Sequence, residues 1–220
     1  MKNPVIFFTV KGGRKMFIPE NTKRRLVLLN RFLSNFTEKT ITSQKIQQIA
    51  GWSAAVIRRD ISLLGITCGA SNGYKVDELK EKLKETLHLS EKNKKCCIVG
   101  LGKVGQALLD SSELDSSPFK IVAGFDSNVN RTEVLRSVFP LHPTTKLGEI
   151  IREEKISYAI LTVLPEEAQS LTNKLCESGI KGIVNYTKCL LTVPPSVMVE
   201  NVCLLTALET ICAGSEENNQ

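Results

Sequence analysis

The chain has 220 residues, 42% of them hydrophobic and 24% charged, a balance that excludes a low-complexity, collagen-like or disordered polypeptide and leaves room for two compact domains or one large one. No apolar run approaches the roughly 20 residues of a membrane helix. The net charge of +6 divides unevenly, with 19 Lys and Arg against 8 Asp and Glu in residues 1–95 and 10 against 15 in residues 96–220. A basic first part followed by an acidic second part predicts two domains with different partners. The basic one has the electrostatic footprint of phosphate contact.

Residues 1–20 read as an N-terminal arm. "NPVIFFTV" is apolar enough for a stray strand or a disordered arm. Lys11, Arg14 and Lys15 stand where a secretion signal would carry small residues before cleavage, so a cytoplasmic chain is expected. The seven cysteines have no CxxC spacing, which predicts reduced thiols packed as small hydrophobes and no zinc site. Cys96 and Cys97 are strand neighbours that point to opposite faces, which disfavours a bridge between them.

Residues 21–77 read as a winged helix-turn-helix. From Asn21 or Thr22, apolar residues at 26, 28, 29, 32, 33 and 36 form a helical stripe opposite a basic face. Thr42 or Ser43 caps a short helix with Ile46, Ile49 and Ala50 on its buried side. Gly51 ends it and Ser53 caps the next helix, in which Val56, Ile57, Ile61 and Leu64 face inward. Ala54, Ala55, Arg58, Arg59 and Ser62 are left outward. Small residues at the start of the second helix permit close entry to the major groove of double-stranded DNA, and long cationic side chains reach base edges or phosphates. The structural alternative for Arg58 and Arg59 is a solvated face, or an ion pair with Asp60 or another local carboxylate. "ITCGASNGYKV" then reads as two short strands around a Gly-rich turn, which places Asn72 and Tyr74 on a DNA-contacting wing. Residues 78–95 read as a linker helix and hinge: Val76, Leu79, Leu83 and Leu87 make an amphipathic stripe that ends in the polar "SEKNKK".

Residues 96–200 read as a Rossmann-like, doubly wound parallel sheet. Cys96–Val99 is a buried strand, and Gly100, Leu101, Gly102, Lys103, Val104 and Gly105 make a Gly-x-Gly-x-x-Gly that opens a helix. The first glycine permits the turn, the second admits the pyrophosphate of a dinucleotide, and the third lets helix and strand pack closely. "FKIVAGFD" is the next strand, ending at Asp126, which stands where a carboxylate accepts hydrogen bonds from the adenosine ribose or caps the following turn. A carboxylate there repels a 2′-phosphate, so NADH or NAD is the expected cofactor. A helix around Leu147–Glu154, a strand "YAILTVL", a helix from Pro165 to about Ser178, "GIVNY" and a strand near Val197–Val199 continue the alternation. Ligands of such sheets lie beyond the carboxyl ends of the strands, which makes Thr162, Val163, Asn185 and Tyr186 candidates for the nicotinamide side. His88 and His142 lie off the strand ends, and no acid–base pair, Ser–His arrangement or metal cluster is evident. The chain reads as a binding protein and not an enzyme. Residues 201–220 read as a C-terminal helix with a polar tail.

"RFL" at 31–33, "IRRDISLLG" at 57–65, "NGYKV" at 72–76, "VGLGKVGQAL" at 99–108, "FD" at 125–126, "AILTV" at 159–163 and "GIKGIVNYT" at 179–187, in that order, resemble the Rex family of redox-sensing repressors. The resemblance implies a homodimer that binds a palindromic operator and is released by NADH, with the C-terminal helix exchanged between subunits. It also implies a switch network at Arg25, Ser111 and Cys203. Here Ser111 replaces the family's tyrosine and Cys203 its aspartate, and the wing lacks lysine and arginine before Tyr74. The proline of "VLPEE" is displaced by one position. The rival readings are a divergent DNA-binding relative without NADH sensing, or responsive to a CoA compound, and a small NAD-dependent enzyme with a basic appendage.

Overall fold

The computed structural model describes residues 7–10, 14–66, 73–90, 93–109, 111, 114 and 117–217, and it divides into two compact units, Met1–Glu91 and Lys92–Gln220.

In the first unit, β1 (Phe7–Val10) pairs antiparallel with β2 (Arg14–Phe17), so the second half of the apolar N-terminal run is a strand. Three helices follow: α1 (Glu20–Ser34), α2 (Ser43–Ala50) and α3 (Ala54–Ser62). Leu26, Leu29 and Leu33 of α1 are buried with Ile46 of α2 and Ile57 and Ile61 of α3. Two residues of the expected stripes lie elsewhere: Leu28 is 56% and Ile49 47% exposed, both on the lip of an apolar hollow over Phe32 and Trp52. Val56 is only half-buried. The caps stand where the polar residues place them. Thr42 Oγ1 accepts from Lys45 N at 3.1 Å, Gly51 closes α2 at φ +73°, and Ser53 Oγ accepts from Val56 N at 3.3 Å.

Two-residue strands β3 (Thr40–Ile41) and β4 (Tyr74–Lys75) pair antiparallel, Ile41 opposite Tyr74. The return arm of the wing is therefore sewn to the segment before α2; residues 67–72, with Asn72, lie outside the described residues. The helix read as a linker is α4 (Val76–Thr86), and it is integral to this unit. Val76, Leu79 and Leu83 are buried in the same core as the leucines of α1, because a three-sided helix cluster of this size needs a fourth apolar stripe to close it.

The second unit is a six-stranded parallel sheet in the order β10-β9-β8-β5-β6-β7. Its strands are β5 (Lys94–Val99), β6 (Phe119–Asp126), β7 (Leu141–Pro143), β8 (Tyr158–Leu161), β9 (Gly182–Asn185) and β10 (Met198–Asn201). The helices are α5 (Lys103–Leu109), α6 (Val129–Val134), α7 (Leu147–Glu154), α8 (Pro165–Glu177) and α9 (Leu204–Glu217). Alternation along β5 explains the two-sided packing. Cys97 and Val99 join Leu147, Ile151, Leu171 and Leu175 of α7 and α8 on one face, and Ile98 joins Leu101, Leu109 and Leu135 on the other.

Several boundaries differ from the sequence reading. β8 stops at Leu161, freeing Thr162–Leu164 from the sheet. The last strand runs from Met198 to Asn201. α6 and β7, which the sequence reading passes over, supply a third strand beside β6. His142, expected off the strand ends, consequently lies in β7 next to its carboxyl end, its ring 5.8 Å from that of Phe125. α9 continues five residues past Cys212, and Leu204, Leu205, Leu208 and Ile211 are 54–77% exposed, so the described residues of this unit leave its apolar side uncovered. Among the described residues no helix is long and apolar enough to cross a membrane.

Candidate functional site

The order of the sheet reverses direction at β5, whose neighbours β6 and β8 are reached by connections on opposite sides; a crevice opens beyond the carboxyl ends of such strands. Here it is a cleft of about 330 Å³ walled by Gly100 and Gly102 of the glycine loop, Asp126–Asn128 and Arg131 after β6, and Thr162–Leu164 and Glu167 after β8. The loop is drawn in by its neighbours. Gly100 N donates to Phe125 O at 2.7 Å, Thr162 N to Val99 O at 2.8 Å, and Thr162 Oγ1 to Gly100 O at 2.6 Å. Gly100 has φ +99° and touches the Thr162 backbone, so a Cβ there is excluded by both conformation and space. A Cβ on Gly105 would overlap the Gly100 carbonyl, which fixes how closely α5 approaches β5. Gly102 differs: a Cβ there would meet nothing, because this glycine faces open space on the cleft side.

Asp126 is 2% exposed. Its Oδ2 accepts from Leu101 N at 2.6 Å, its Oδ1 from Asn128 N at 2.7 Å, and Arg131 Nη1 lies 3.3 Å from Oδ2. The carboxylate ties the glycine loop to the turn after β6, so it does cap that turn while standing at the β6 end of the cleft. Leu101 contributes a spent amide and a fully buried side chain. Lys103 and Val104 are exposed on α5. Thr162 and Val163 face the same cleft as Asp126. Asn185 and Tyr186 do not line it. Asn185 is 1% exposed, its amide nitrogen donating to Cys189 O and Asn201 Oδ1, its oxygen accepting from Thr187 N and Oγ1. That side chain ties β9 to β10 and to the following turn. Tyr186 is 39% exposed. Ser127, Asn128, Arg131 and Glu167 are cleft residues that sequence reasoning missed; Arg131 could have been found only by anticipating α6, which brings it back over Asp126.

On the first unit, Ala55, Arg58, Arg59 and Ser62 are exposed at three- and four-residue steps and share one face of α3, with Ala54 half-buried at its start. The α2–α3 turn is braced by Gln47, whose Oε1 accepts from Ala54 N at 3.0 Å. Arg58 Nη1 donates to Ser43 Oγ at 3.2 Å, while the Arg59 side chain has no polar partner among the described residues. Neither pairs with Asp60. That carboxylate is buried and belongs to Arg25, with Nε to Oδ2 at 2.6 Å and Nη2 to Oδ1 at 3.0 Å; Thr22 Oγ1 adds a further donor at 3.1 Å. Hydrogen bonding to Asp60 raises the already high Arg25 pKa. Arg25 thus fastens α1 to the outward-facing helix of its own unit. Tyr74, read as a wing contact, is 3% exposed and packs in the core because its strand pairs inward with Ile41.

Of the other residues assigned to a switch, Ser111 N bonds Leu108 O at the end of α5, and Cys203 is half-buried just ahead of α9. Hydrogen bonds from the Thr206 hydroxyl and amide lower the Cys203 thiol pKa. Burial pushes Cys96 up to about 11 and Cys97 further up, which makes both inert as nucleophiles. Among the described residues no group of His, Cys, Asp and Glu could hold a metal ion.

Residues 17–62 match the family model "Putative DNA-binding protein N-terminus", and residues 91–189 match the model "CoA binding domain". The redox-sensing transcriptional repressor Rex of Oenococcus oeni is 35% identical over 88% of this chain and 91% of its own length. Rex 1 of Enterococcus faecalis is 32% identical over 92% of this chain and 95% of its own. Among solved structures, RSP in complex with β-NAD+ and operator DNA superposes with a TM-score of 0.84 at 28% identity, covering 93% of this chain and 95% of that one. RSP, a Rex-family repressor, in complex with β-NADH gives 0.80 at 27% over 93% and 97%. With relatives above 30% identity along nearly its whole length, a winged first unit and a glycine-loop second unit, the chain belongs to the Rex family of redox-sensing transcriptional repressors.

Proposed function

We infer that this chain is a cytoplasmic, NADH-responsive repressor that grips a palindromic operator as a homodimer and releases it when NADH fills the cleft of the second unit. The observation that carries the reading is the pairing, within one chain, of an exposed α3 face bearing Arg58 and Arg59 with a glycine-loop cleft, in a family whose member RSP is held with operator DNA and β-NAD+ and, separately, with β-NADH. The residues present fit a dinucleotide: Gly102 leaves room for the backbone to approach a pyrophosphate, and Thr162 and Val163 wall the side opposite Asp126. Ser53, Ala54 and Ala55 bring the start of α3 close to the groove, and Arg58, Arg59 and Ser62 reach DNA from the same face. Binding of NADH couples to release only through a difference in its affinity for the two dimer arrangements; a tenfold loss of operator affinity needs about 1.4 kcal/mol of such difference. No turnover is part of this reading.

Polarisation titrations on a palindromic operator test it. Saturating NADH weakens operator binding about tenfold or more while NAD+ does not, and Arg59→Ala lowers the log–log salt slope by about 0.9 if it meets a phosphate. Operator affinity unchanged by saturating NADH overturns the sensing role even where DNA binding stands.

One observation favours a second reading. Arg25 is committed to Asp60 inside its own unit, and positions 111 and 203 hold serine and cysteine, so a charged relay through these three residues has lost its carboxylate. A relative that binds DNA without NADH sensing, and answers instead to a CoA compound, fits that arrangement. Calorimetry with NADH, NAD+ and CoA separates the two.

A further inference from the structure

We propose that the N-terminal β1–β2 ribbon is a second DNA-gripping element, which holds backbone phosphates beside the half-site and supplies the positive charge that the wing lacks. The inference rests on the DNA reading of the first unit. It adds a surface that lies almost wholly ahead of the segment matched by the DNA-binding family model, which begins at residue 17. Residues 1–19 carry Lys2, Lys11, Arg14 and Lys15 and no Asp or Glu. Three of those four cations fall within the five residues "KGGRK". The pairing of β1 with β2 closes at Val10 opposite Arg14, after Thr9 opposite Lys15. Arg14 and Lys15 therefore occupy the end of the ribbon remote from α1. Four residues of strand carry that end about 13 Å from the root at Phe7 and Phe17.

The root is fixed to the DNA-binding unit. Ile18, between β2 and α1, is 4% exposed in the core shared with α3. β1 lies against α4, the helix that runs on from the return strand of the wing. That wing has no lysine or arginine from Ile66 to Tyr74. A ribbon with a cationic end and no carboxylate of its own meets phosphates without reading bases, because charge and not a donor pattern fixes the contact. The rival within the molecule is an ion pair with α4, which carries Asp77, Glu78, Glu81 and Glu85. Glu85 is already answered by Lys82 at 2.8 Å, and Glu20, the first carboxylate after the ribbon, by Lys23 at 3.3 Å. Lys80 and Lys84 offset much of the remaining charge of α4. DNA offers one negative charge for about every 1.7 Å of its axis, and the denser array decides.

The test is a set of polarisation titrations of the full-length protein, from low to physiological salt, on a palindromic operator with flanking sequence and on a mixed-sequence duplex of the same length. The variants are Lys11→Ala/Arg14→Ala/Lys15→Ala and the charge-keeping Lys11→Arg/Lys15→Arg. The triple change should weaken binding to both duplexes by about tenfold or more. It should lower the log–log salt slope by about 1.8 or more, one phosphate for each ribbon of a dimer. The preference for operator over mixed sequence should hold within about threefold, since phosphate contacts carry no sequence information. That retained preference also certifies that α3 is folded and in place. The arginine variant should keep the wild-type slope. A triple variant with an unchanged slope overturns this inference alone, and a lower denaturation midpoint beside it assigns the cations to α4. Loss of the operator preference along with affinity overturns it too, because the ribbon would then be positioning α3. A wild-type protein that binds neither duplex overturns the DNA reading and this inference together.

Discussion

Each unit is organised around one buried aspartate with an arginine beside it, and the two pairs are built differently. In the first unit Asp60 is held by side chains, Arg25 through two nitrogens and Thr22 through its hydroxyl, and the arginine is itself mostly buried, at 24% exposure. In the second, Asp126 is held by two backbone amides, and Arg131 covers it from solvent at 48% exposure. The first arrangement consumes the arginine to join two helices. The second leaves the arginine facing a cleft. An aspartate satisfied by backbone leaves its cationic neighbour half exposed, whereas one satisfied by that neighbour makes a structural tie.

Removing Arg25 should give the largest effect. Arg25→Ala leaves Asp60 buried with a hydroxyl as its remaining partner, and a loss of about 3 kcal/mol of stability is expected in chemical denaturation. The double variant Arg25→Ala/Asp60→Ala should recover part of that loss; a double variant as unstable as the sum of the two single changes would mean that the pair is not coupled. Operator affinity should fall with Arg25→Ala as well, since α1 no longer fixes α3.

The next contrast is alkaline stability, and it belongs to the second unit, whose central strand carries Cys96 and Cys97. Burial raises the Cys96 thiol from 9.0 to about 11, so the folded state keeps its proton where the unfolded chain releases it. The corresponding stability is fully present below about pH 9 and is lost as pH rises toward 11, by about 2–3 kcal/mol for this thiol. Denaturation curves between pH 8 and 11 should show that slope, and Cys96→Ala should reduce it, the remainder coming from the more deeply buried Cys97. An unchanged slope would place the alkaline sensitivity elsewhere.

The smallest of the three is Asp126→Ala, which removes the shared acceptor of the buried Leu101 amide and of the Asn128 amide but leaves no buried charge without a partner, since Arg131 is half exposed. A cost of about 1–2 kcal/mol is expected, well below that of Arg25→Ala, with a clear loss of NADH affinity because the glycine loop is no longer tied. If Asp126→Ala costs as much stability as Arg25→Ala, the distinction between a structural tie and a site residue fails.

Local signals were legible where chemistry is local. Thr42, Gly51 and Ser53 cap and break the helices of the turn motif because a hydroxyl and a left-handed glycine act within four residues. The buried run at Cys96–Val99 and the spacing of Gly100, Gly102 and Gly105 locate the sheet's central strand and its loop for the same reason. The 3.6-residue stripe of α4 was equally plain, but what it packs on was not: a stripe states that a face is buried, not which neighbour buries it. Leu28 and Ile49 show the converse, apolar residues in register with a stripe that the tertiary fold leaves at the surface.

The amino-acid order by itself determined the two-part plan, the helix-turn-helix, the glycine loop and the placing of Asp126 at the end of its strand, because caps, periodicity and tight turns are set by neighbours along the chain. Only the tertiary structure decided who answers each charge. It gave Asp60 to Arg25 across 35 residues and Asp126 to Leu101 across 25, closed Tyr74 into the core, and turned Asn185 inward to tie two strands. It also carried Arg131 back over the cleft on a short helix that has no strong periodic signal of its own. Such pairings depend on the distance in space between groups far apart in sequence, and that distance exists only once the chain has packed.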